Sequence, residues 1–455
     1  MSLPAYPAYW ESGVPWLGRV PAGWGVRRLR FLADIRPSGV DKHSLEGELP
    51  VRLCNYVDVY KNDRITDALA FLEATATPAE IERFALRAGD VLITKDSETP
   101  DDIAAAALVE PSAAGVVCGY HLALLRPAAG AISGAFLFWA FKAPETLAQC
   151  SVRAQGITRF GLSTGAIGDV WLPLPPPAEQ RAIAAFLDRE CGKIDALVAE
   201  QERLIALLKE KRQAVISHAV TKGLDPSAPM KDSGVPWLGQ VPAHWEVKRL
   251  KDVGTLVGGA GFPHDEQGRE GDELPFFKVA DLGKAEAGRT MGDAESTVSY
   301  ETASALHARI IPASSIVYAK IGAALLLNRR RITIRACCID NNMTAFTPAF
   351  ERLSTLWAWY WLSVIDFGRV ANPGAVPSLS EGDQAILPIA LPDLDEQRAI
   401  AAFLDRECGK IDTLISESER AIALLKERRA ALISAAVTGK IDVRGLVPAE
   451  EAAAA

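Results

Sequence analysis

The chain has 455 residues, of which 49% are hydrophobic and 23% charged, and its formal net charge is −8. This composition is typical of a globular protein of about three domains, and the acidic balance argues against a nucleic-acid binder that acts alone. The seven cysteines form no CxxC pair, so neither a disulfide framework nor a zinc ribbon is indicated. We therefore expect a reducing, cytoplasmic location. The apolar runs at 135–141 and 356–362 are too short to span a bilayer, and no signal segment follows Met1, so no membrane partner is expected.

The first element in chain order is a leader that occurs twice. Residues 11–24 return as residues 232–245, with an offset of 221. The proline and glycine content of both copies predicts irregular chain. We expect the leader tryptophans to plug that chain onto a domain surface.

A variable region follows each leader, at about 25–175 and 246–392. The two regions share little identity, yet their landmarks align. Apolar strand signals end in Lys95 in the first region and in Lys320 in the second. Short β-type segments broken by glycine and proline indicate a mixed α/β domain. Two variable regions of different sequence, each enclosed by nearly identical repeats, indicate two modules with the same role on two different targets.

The second repeat follows each variable region. Residues 179–195 recur letter for letter at 396–412, with an offset of 217. Apolar spacings of three, four and seven predict amphipathic helices over 178–225 and 395–442, which can bury their stripes against each other. Taken alone, this repeat is also compatible with a generic coiled-coil dimerisation hairpin. The residues predicted to pair the helices and dock partners are Ile183, Leu187, Ile194, Leu197, Leu204, Leu208, Ile400, Leu404, Ile411, Leu414 and Leu425.

Catalytic motifs are missing from the sequence. It contains no phosphate loop, no HExxH and no dinucleotide fingerprint. The one acidic-x-Lys triple, 246–248, lacks the upstream Pro-Asp of a nuclease centre, and 175–177 lack the ends of an amino-methylation motif. We therefore predict neither catalytic nor metal-binding residues.

The remaining candidates are binding residues. Arginine neutralises phosphates and can grip O6 and N7 of guanine, and polar groups in glycine-rich turns can approach a groove closely. For the basic residues, a solvated surface cluster is the alternative interpretation. The predicted DNA-binding residues are Lys95, Ser97, Gln155, Thr158, Arg159, Lys320, Asn328, Arg329, Arg330, Arg331 and Asn372.

Four segments together resemble one family. Both leaders, and both copies of Glu-Gln-Arg-Ala-Ile-Ala-x-Phe-Leu-Asp, are similar to the specificity (S) subunits of type I restriction–modification systems. The resemblance covers essentially the whole chain. The entry to the second copy, 387–392, departs from the pattern because it lacks the Pro-Pro pair, which puts its turn geometry in doubt.

The resemblance implies an α+β fold with two mixed α/β target-recognition domains, joined by two long antiparallel coiled-coil helices in an internal pseudo-twofold repeat. It implies that the chain is a non-catalytic subunit that reads a bipartite site in double-stranded DNA. The implied partners are two methyltransferase (M) subunits and nuclease/translocase (R) subunits. S-adenosylmethionine, ATP and Mg are expected on those partners, and no cofactor is expected on this chain.

The expected boundaries follow from these assignments. Residues 1–177 and 226–394 form the leaders and target-recognition domains, 178–225 and 395–442 the spacer helices, and 443–455 a disordered tail. Two other functions stay open. A coiled-coil scaffold that does not bind DNA is favoured by the net charge of −8, and a self-contained DNA-modifying enzyme is disfavoured by the missing motifs.

Overall fold

The chain divides into two compact units. The computed structural model describes residues 4–113, 115–284, 288–372 and 374–448. The first unit contains residues 1–202 and 419–455, and the second contains residues 203–418. Each of two long helices begins in one unit and ends in the other, so each unit consists of a mixed α/β domain on a pair of helical segments. The predicted fold of two mixed domains joined by long helices is confirmed.

The first domain is built on a five-stranded sheet. Its middle strand, Val91–Thr94, is fully buried because both sheet faces are covered. The strand order is Ala33–Pro37, Leu122–Pro127, Val91–Thr94, Ala106–Val109 and Arg64–Ile65; a second sheet contains Val116–Cys118, Leu49–Cys54 and Leu72–Ala76. Only the outermost pair of the first sheet, in which Leu108 faces Arg64, is parallel.

Smaller elements complete the first domain. The pair Gly25–Arg28 and Trp171–Leu174 closes its base, and the leader forms the hairpin of Tyr9–Glu11 and Arg19–Pro21. Gln155–Gly156, Phe160–Gly161 and Asp96–Ser97 form a three-stranded sheet. The helices are Tyr56–Lys61, Pro78–Phe84, Gly134–Lys142, Pro144–Ser151 and Thr164–Gly168, with 3-10 turns at Leu29–Phe31, Pro100–Asp102 and Pro111–Ala113.

The second domain repeats this architecture. Its five-stranded sheet has the order Gly254–Gly258, Met343–Pro348, Ile316–Ala319, Arg330–Thr333 and Thr290–Met291. The remaining strands are Thr297–Val298, Leu274–Phe277 and Cys338–Ile339 in one sheet, Glu246–Arg249 with Pro388–Leu391, and the leader hairpin Met230–Asp232 with Gln240–Pro242. The helices are Asp281–Lys284, Tyr300–Ala305, Ala323–Leu326, Thr355–Ser363, Phe367–Val370 and Glu381–Ala385, with 3-10 turns at Leu250–Asp252 and His264–Glu266.

The first long helix is Pro177–Lys222 and the second long helix is Leu394–Val437. Proline is well placed at the first position of a helix, because the N–H that it lacks would have no partner there. Both helices end before the predicted 225 and 442, since Gly223 and Gly439 adopt φ values of +75° and +72°, which stop a right-handed helix.

The two long helices pair antiparallel within each unit. In the first unit Arg429 of the second long helix donates to Asp195 of the first at 2.9 Å. In the second unit Arg212 makes the same contact with Asp412, also at 2.9 Å. Both pairs obey the sequence offset of 217, so the repeat encodes the pairing twice.

The buried stripe on these helices is narrower than predicted. Ile183, Leu187, Ile194, Leu208, Ile400, Leu404 and Ile411 are buried, and Leu425 is partly buried. In contrast, Leu197, Leu204 and Leu414 are 53%, 42% and 48% exposed. A two-helix pair covers only a narrow stripe of each helix, so the assignment of these three leucines to helix pairing is corrected.

The leader tryptophans divide into two groups. Trp24 and Trp245 are buried, as the plug hypothesis requires. Trp16 and Trp237 instead lie at the turns of the leader hairpins and remain 37% and 51% exposed. Only the last tryptophan of each leader therefore acts as the plug.

The segment after the second long helix also differs from the expected disorder. Val443 is fully buried, and Leu446 and Val447 pack against the first-unit core. The backbone N–H of Asp442 donates to the Pro4 carbonyl at 2.7 Å. Residues 449–455 of the predicted tail lie outside the described residues.

The cysteines are free and buried. Cys191 and Cys408 lie on the long helices, where they act as small apolar residues, as predicted. Burial raises the pKa of Cys191 to about 12, so its thiol is a poor nucleophile. Within the described ranges no helix has the length and apolarity that a bilayer crossing requires.

Candidate nucleic-acid interface

Lys95 and Lys320 occupy equivalent positions in the two domains. Each follows the middle strand of its five-stranded sheet. The Lys95 carbonyl accepts from the Leu162 N–H at 2.8 Å, and the Lys320 carbonyl accepts from the Leu379 N–H at 2.9 Å. The alignment of the two lysines made from sequence is therefore reproduced by matching backbone hydrogen bonds.

In the first domain a hairpin rises beside Lys95. Its strands, Gln155–Gly156 and Phe160–Gly161, pair with each other, and Phe160–Gly161 also pairs with Asp96–Ser97. Its tip consists of Ile157, Thr158 and Arg159, all exposed, and Ile157 is 95% exposed. We call residues 155–161 the first hairpin. It brings Gln155, Thr158 and Arg159 together in one turn and adds the exposed Ile157, which sequence reasoning missed.

Gly156 is needed for the shape of the first hairpin. A Cβ atom at this position would lie 1.9 Å from the Arg159 carbonyl oxygen and 2.9 Å from the Phe160 Cα. Neither is a side-chain end that could move away. Only glycine permits this turn, which holds Ile157 and Arg159 away from the domain surface.

Lys95 and Ser97 lie at the foot of the hairpin. The Lys95 ammonium donates to Asp96 Oδ2 at 2.7 Å, and His121 Nδ1 lies 2.6 Å from the same oxygen. Although burial opposes it, these hydrogen bonds hold the pKa of Asp96 below its usual value. Lys95 is therefore already paired with a carboxylate, and Ser97 is only 5% exposed. Both are better placed to support the hairpin than to contact a ligand.

An exposed tyrosine surface adjoins the same foot. The Lys95 ammonium lies 5.1 Å from the Tyr120 ring centroid, and Tyr120 is 49% exposed. Tyr56 and Tyr60 stack at 5.5 Å on one helix, and the Tyr60 hydroxyl donates to Asp102. Sequence reasoning missed these residues, although the spacing of four between Tyr56 and Tyr60 was a readable signal.

The second domain presents a turn of different sequence at the matching place. The Asn372 N–H donates to the Ser378 carbonyl at 2.8 Å and closes a turn, and we call its described residues, 372 and 374–378, the second hairpin. Val376 near its tip is 62% exposed, while Pro373 lies outside the described residues. The Asn372 amide donates to Asp383 at 3.0 Å and is thus engaged in holding the turn. Unlike Lys95, Lys320 makes no ion pair with the residues described.

The arginine cluster is divided by the start of the strand Arg330–Thr333. Arg329 is exposed, Arg331 is partly buried, and Arg330 is only 4% exposed. Arg330 donates to the Asn328 carbonyl at 2.7 Å and to the Ile365 carbonyl, and its guanidinium lies 4.0 Å from the Phe367 ring centroid. Burial lowers the pKa of Arg330 to about 10.

The prediction of a three-arginine DNA contact is therefore corrected. Arg330 lies next to Tyr318 on a sheet strand whose pleat points it into the core. The Asn328 carboxamide oxygen accepts from the Phe367 N–H at 2.8 Å, so Asn328 is also engaged within the domain. Arg329 is the member of the cluster that remains open to a phosphate.

The repeated helix sequence holds each domain by two polar anchors. In the first unit, Gln180 accepts from the Ser133 N–H at 2.8 Å, and Asp188 accepts from Arg64 and from the Trp139 indole. The anchors of the second unit correspond: Gln397 accepts from the Ser354 N–H at 2.9 Å, and Asp405 accepts from Arg289 and the Tyr360 hydroxyl, both at 2.6 Å. Sequence reasoning assigned no role to these residues, although their letter-for-letter repetition marked them.

The described residues contain no group of three or more histidine, cysteine, aspartate or glutamate side chains placed to hold a metal ion. The candidate binding features are the two hairpins, Arg329 and the surface formed by Tyr56, Tyr60 and Tyr120. Together they offer cations, hydrogen-bond donors and aromatic faces, which is the chemistry that nucleic acids bind.

Comparison with known proteins gives a consistent result. The family model for the type I restriction modification DNA specificity domain matches residues 242–420. The type I restriction enzyme MjaVIII specificity subunit of Methanocaldococcus jannaschii is 21% identical over 440 residues, which is 94% of this chain and 95% of that protein. The EcoBI specificity subunit of Escherichia coli is 38% identical over 78 residues, 17% of this chain and 16% of that protein.

Solved structures share the fold. A chain from work described as "Structural basis underlying complex assembly and conformational transition of the type I R-M system" superposes with a TM-score of 0.69 at 18% identity, covering 92% of this chain and 98% of that chain. The HsdS subunit from Thermoanaerobacter tengcongensis gives a TM-score of 0.50 at 19% identity, with the same coverage.

Proposed function

Because this chain belongs to the family of type I restriction–modification specificity subunits, we propose that it reads a bipartite site in double-stranded DNA. Each domain recognises one half of the site. The chain is a non-catalytic subunit that recognises DNA for partners that modify or cut it.

The observation that carries this proposal is the contrast between anchors and hairpins. Gln180 and Asp188 hold the first domain through the same contacts that Gln397 and Asp405 make with the second. The exposed hairpins carried by these domains nevertheless differ in sequence. Two domains that are anchored in the same way but expose different surfaces are expected to bind different half-sites of DNA.

We propose that each hairpin enters a DNA groove. Arg159 can donate to a base edge or a phosphate, and Ile157 can contact a thymine methyl group. Arg329 and Lys320 can supply phosphate contacts in the second domain. Since the net charge is −8, DNA affinity depends on these local cations and on positive charge from partner subunits.

The proposed partners are two M subunits and the R subunits. S-adenosylmethionine, ATP and Mg are bound by those partners in this proposal. The long helices leave leucines such as Leu197 and Leu414 about half exposed, and apolar side chains on a helix are suitable for packing against a partner helix. These leucines, removed above from the pairing seam, are the proposed docking residues.

The proposal is tested by expressing the chain with its M partner in a host that lacks other DNA methylation. We expect sequencing of methylated DNA to give one motif of two defined halves separated by an unspecified spacer. A purified chain that methylates DNA without a partner would favour the self-contained enzyme. A complex that shows no sequence preference, in shift assays with and without M subunits, would favour the scaffold.

A further inference from the structure

One face of the repeated helix sequence is covered in the first unit and open in the second. Ala182, Ala185, Phe186 and Arg189 recur, without change, as Ala399, Ala402, Phe403 and Arg406. The first set is partly or fully buried, and Phe186 is 3% exposed. In the second set both alanines and the arginine are exposed and Phe403 is partly exposed. Because the residues are identical, the difference lies in what covers them.

The cover in the first unit is the segment 443–447. Val443 is fully buried, and Leu446 and Val447 pack against the apolar cluster that contains Phe186. The Arg189 guanidinium donates to the Leu446 carbonyl at 2.9 Å. The segment is thus held by aliphatic side chains, by one backbone carbonyl and by Arg444, whose guanidinium lies 4.8 Å from the Tyr6 ring centroid.

The second unit has no equivalent cover among its described residues. Leu224 and Asp225 correspond to Ile441 and Asp442, but the chain then continues as Pro-Ser-Ala-Pro into the next leader. The result is a groove of about 400 Å³ between the two long helices. We call it the open groove; it is lined by Lys211, Ala214, Val215, His218, Ala219, Gly223, Leu224 and Phe403. Leu224 is 43% exposed on its wall.

We propose that the open groove binds an extended aliphatic segment of a partner protein, in the way that residues 443–447 cover the matching face of the first unit. The occupant carries two adjacent aliphatic side chains that pack on Phe403 and Leu224. One of its backbone carbonyls accepts a hydrogen bond from Arg406, whose side chain is 61% exposed. A partner is favoured over a second copy, because the matching segment of any copy already covers that copy's own first unit.

The groove can be probed with a fluorescent peptide of residues 441–448, added to the full-length chain and followed by anisotropy. We expect saturable binding that weakens by roughly tenfold in Ala402→Glu, which places a charge at an exposed helical position next to Phe403, on the face whose counterpart is covered in the first unit. Arg406→Ala should weaken binding several-fold. A peptide in which Leu446 and Val447 are both replaced by serine should not bind.

Ala423→Glu is the matched control, because Ala423 is also an exposed alanine on the second long helix but is 20 residues along the chain from Phe403 and belongs to the first unit. It should bind the peptide as the unchanged chain does. Absence of saturable binding, or binding that survives Ala402→Glu, would overturn the proposal. Sedimentation gives a further outcome: if the chain self-associates and Ala402→Glu abolishes this, the occupant is a second copy and the partner assignment is wrong.

Discussion

At the residue scale, burial separates neighbours that look alike in sequence. Arg329 and Arg330 are adjacent arginines, yet one is exposed and the other supports Phe367 and the Ile365 carbonyl from inside the domain. The buried guanidinium is tolerated because its two terminal nitrogens donate to carbonyl oxygens and an aromatic face lies against it, although its Nε finds no partner among the described residues. Lys95 is likewise tolerated at a largely buried position because its ammonium is paired with the Asp96 carboxylate.

We therefore predict opposite effects for two neighbouring substitutions. Arg330→Ala should destabilise the chain by about 2–4 kcal/mol, since it leaves buried acceptors unpaired. Arg329→Ala should leave the urea unfolding midpoint unchanged but lower the slope of log K against log salt by about one. Equal unfolding midpoints for both variants would contradict the assigned burial of Arg330.

The anchor at Asp405 predicts a dependence on pH. Burial opposes it, but hydrogen bonds from Arg289 and Tyr360 hold the pKa of Asp405 below its usual value. A lowered folded-state pKa stabilises the fold above the unfolded value, about 3.9, and this stabilisation is lost as pH falls through the folded pKa. Asp405→Asn should cost about 2 kcal/mol at neutral pH, and its difference from the unchanged chain should shrink below about pH 4.

The measurement is urea unfolding across pH, with Glu417→Gln as the control. Glu417 is an exposed carboxylate on the same helix, with no ion pair among the described residues. Its substitution should leave the pH profile unchanged. A difference between Asp405→Asn and the unchanged chain that stays constant down to pH 3 would show that the carboxylate charge is not the stabilising feature.

At the element scale, the first hairpin is the exposed structure with the most demanding backbone. Its turn depends on the close approach of Gly156 to the Arg159 carbonyl. The hairpin contributes little to the core, since its tip residues are exposed. Changes within it should therefore affect recognition more than stability.

Gly156→Ala should disturb the tip without unfolding the domain, because the added Cβ meets backbone atoms. We expect loss or relaxation of one half of the methylated motif, with the other half unchanged. Gly165→Ala is the control: its Cβ would meet nothing nearer than Ser163 Oγ at 3.8 Å. A normal motif in Gly156→Ala would exclude the first hairpin from base recognition.

At the scale of the whole molecule, the chain is one scaffold used twice. In each unit a long helix provides a glutamine and an aspartate as anchors. The domain donates hydrogen bonds to them from a backbone N–H, an arginine and an aromatic side chain. Domains that keep these donors should be interchangeable. At the open groove the two copies of the scaffold differ, because the matching face of the first unit is covered.

Exchanging residues 246–392 for those of a relative that keeps an arginine and an aromatic donor for Asp405 should change only one half of the motif. Methylome sequencing measures this directly. The same exchange with both donors missing should give a less stable chain, because Asp405 then loses its partners. A folded exchange variant that alters both halves would contradict the two-reader proposal.

The sequence alone determined the repeat, the long helices and the two mixed domains, because periodicity and letter-for-letter recurrence are local signals that need no tertiary contact to be read. It also aligned Lys95 with Lys320, which occupy equivalent positions in their two domains. Tertiary structure decided which polar residues stay available: the pleat directs Arg330 inward, Asp96 neutralises Lys95, and a two-helix seam leaves Leu197 exposed. It likewise decided that Phe186 is covered and Phe403 is not, since identical residues acquire different surroundings only when distant parts of the chain pack against them.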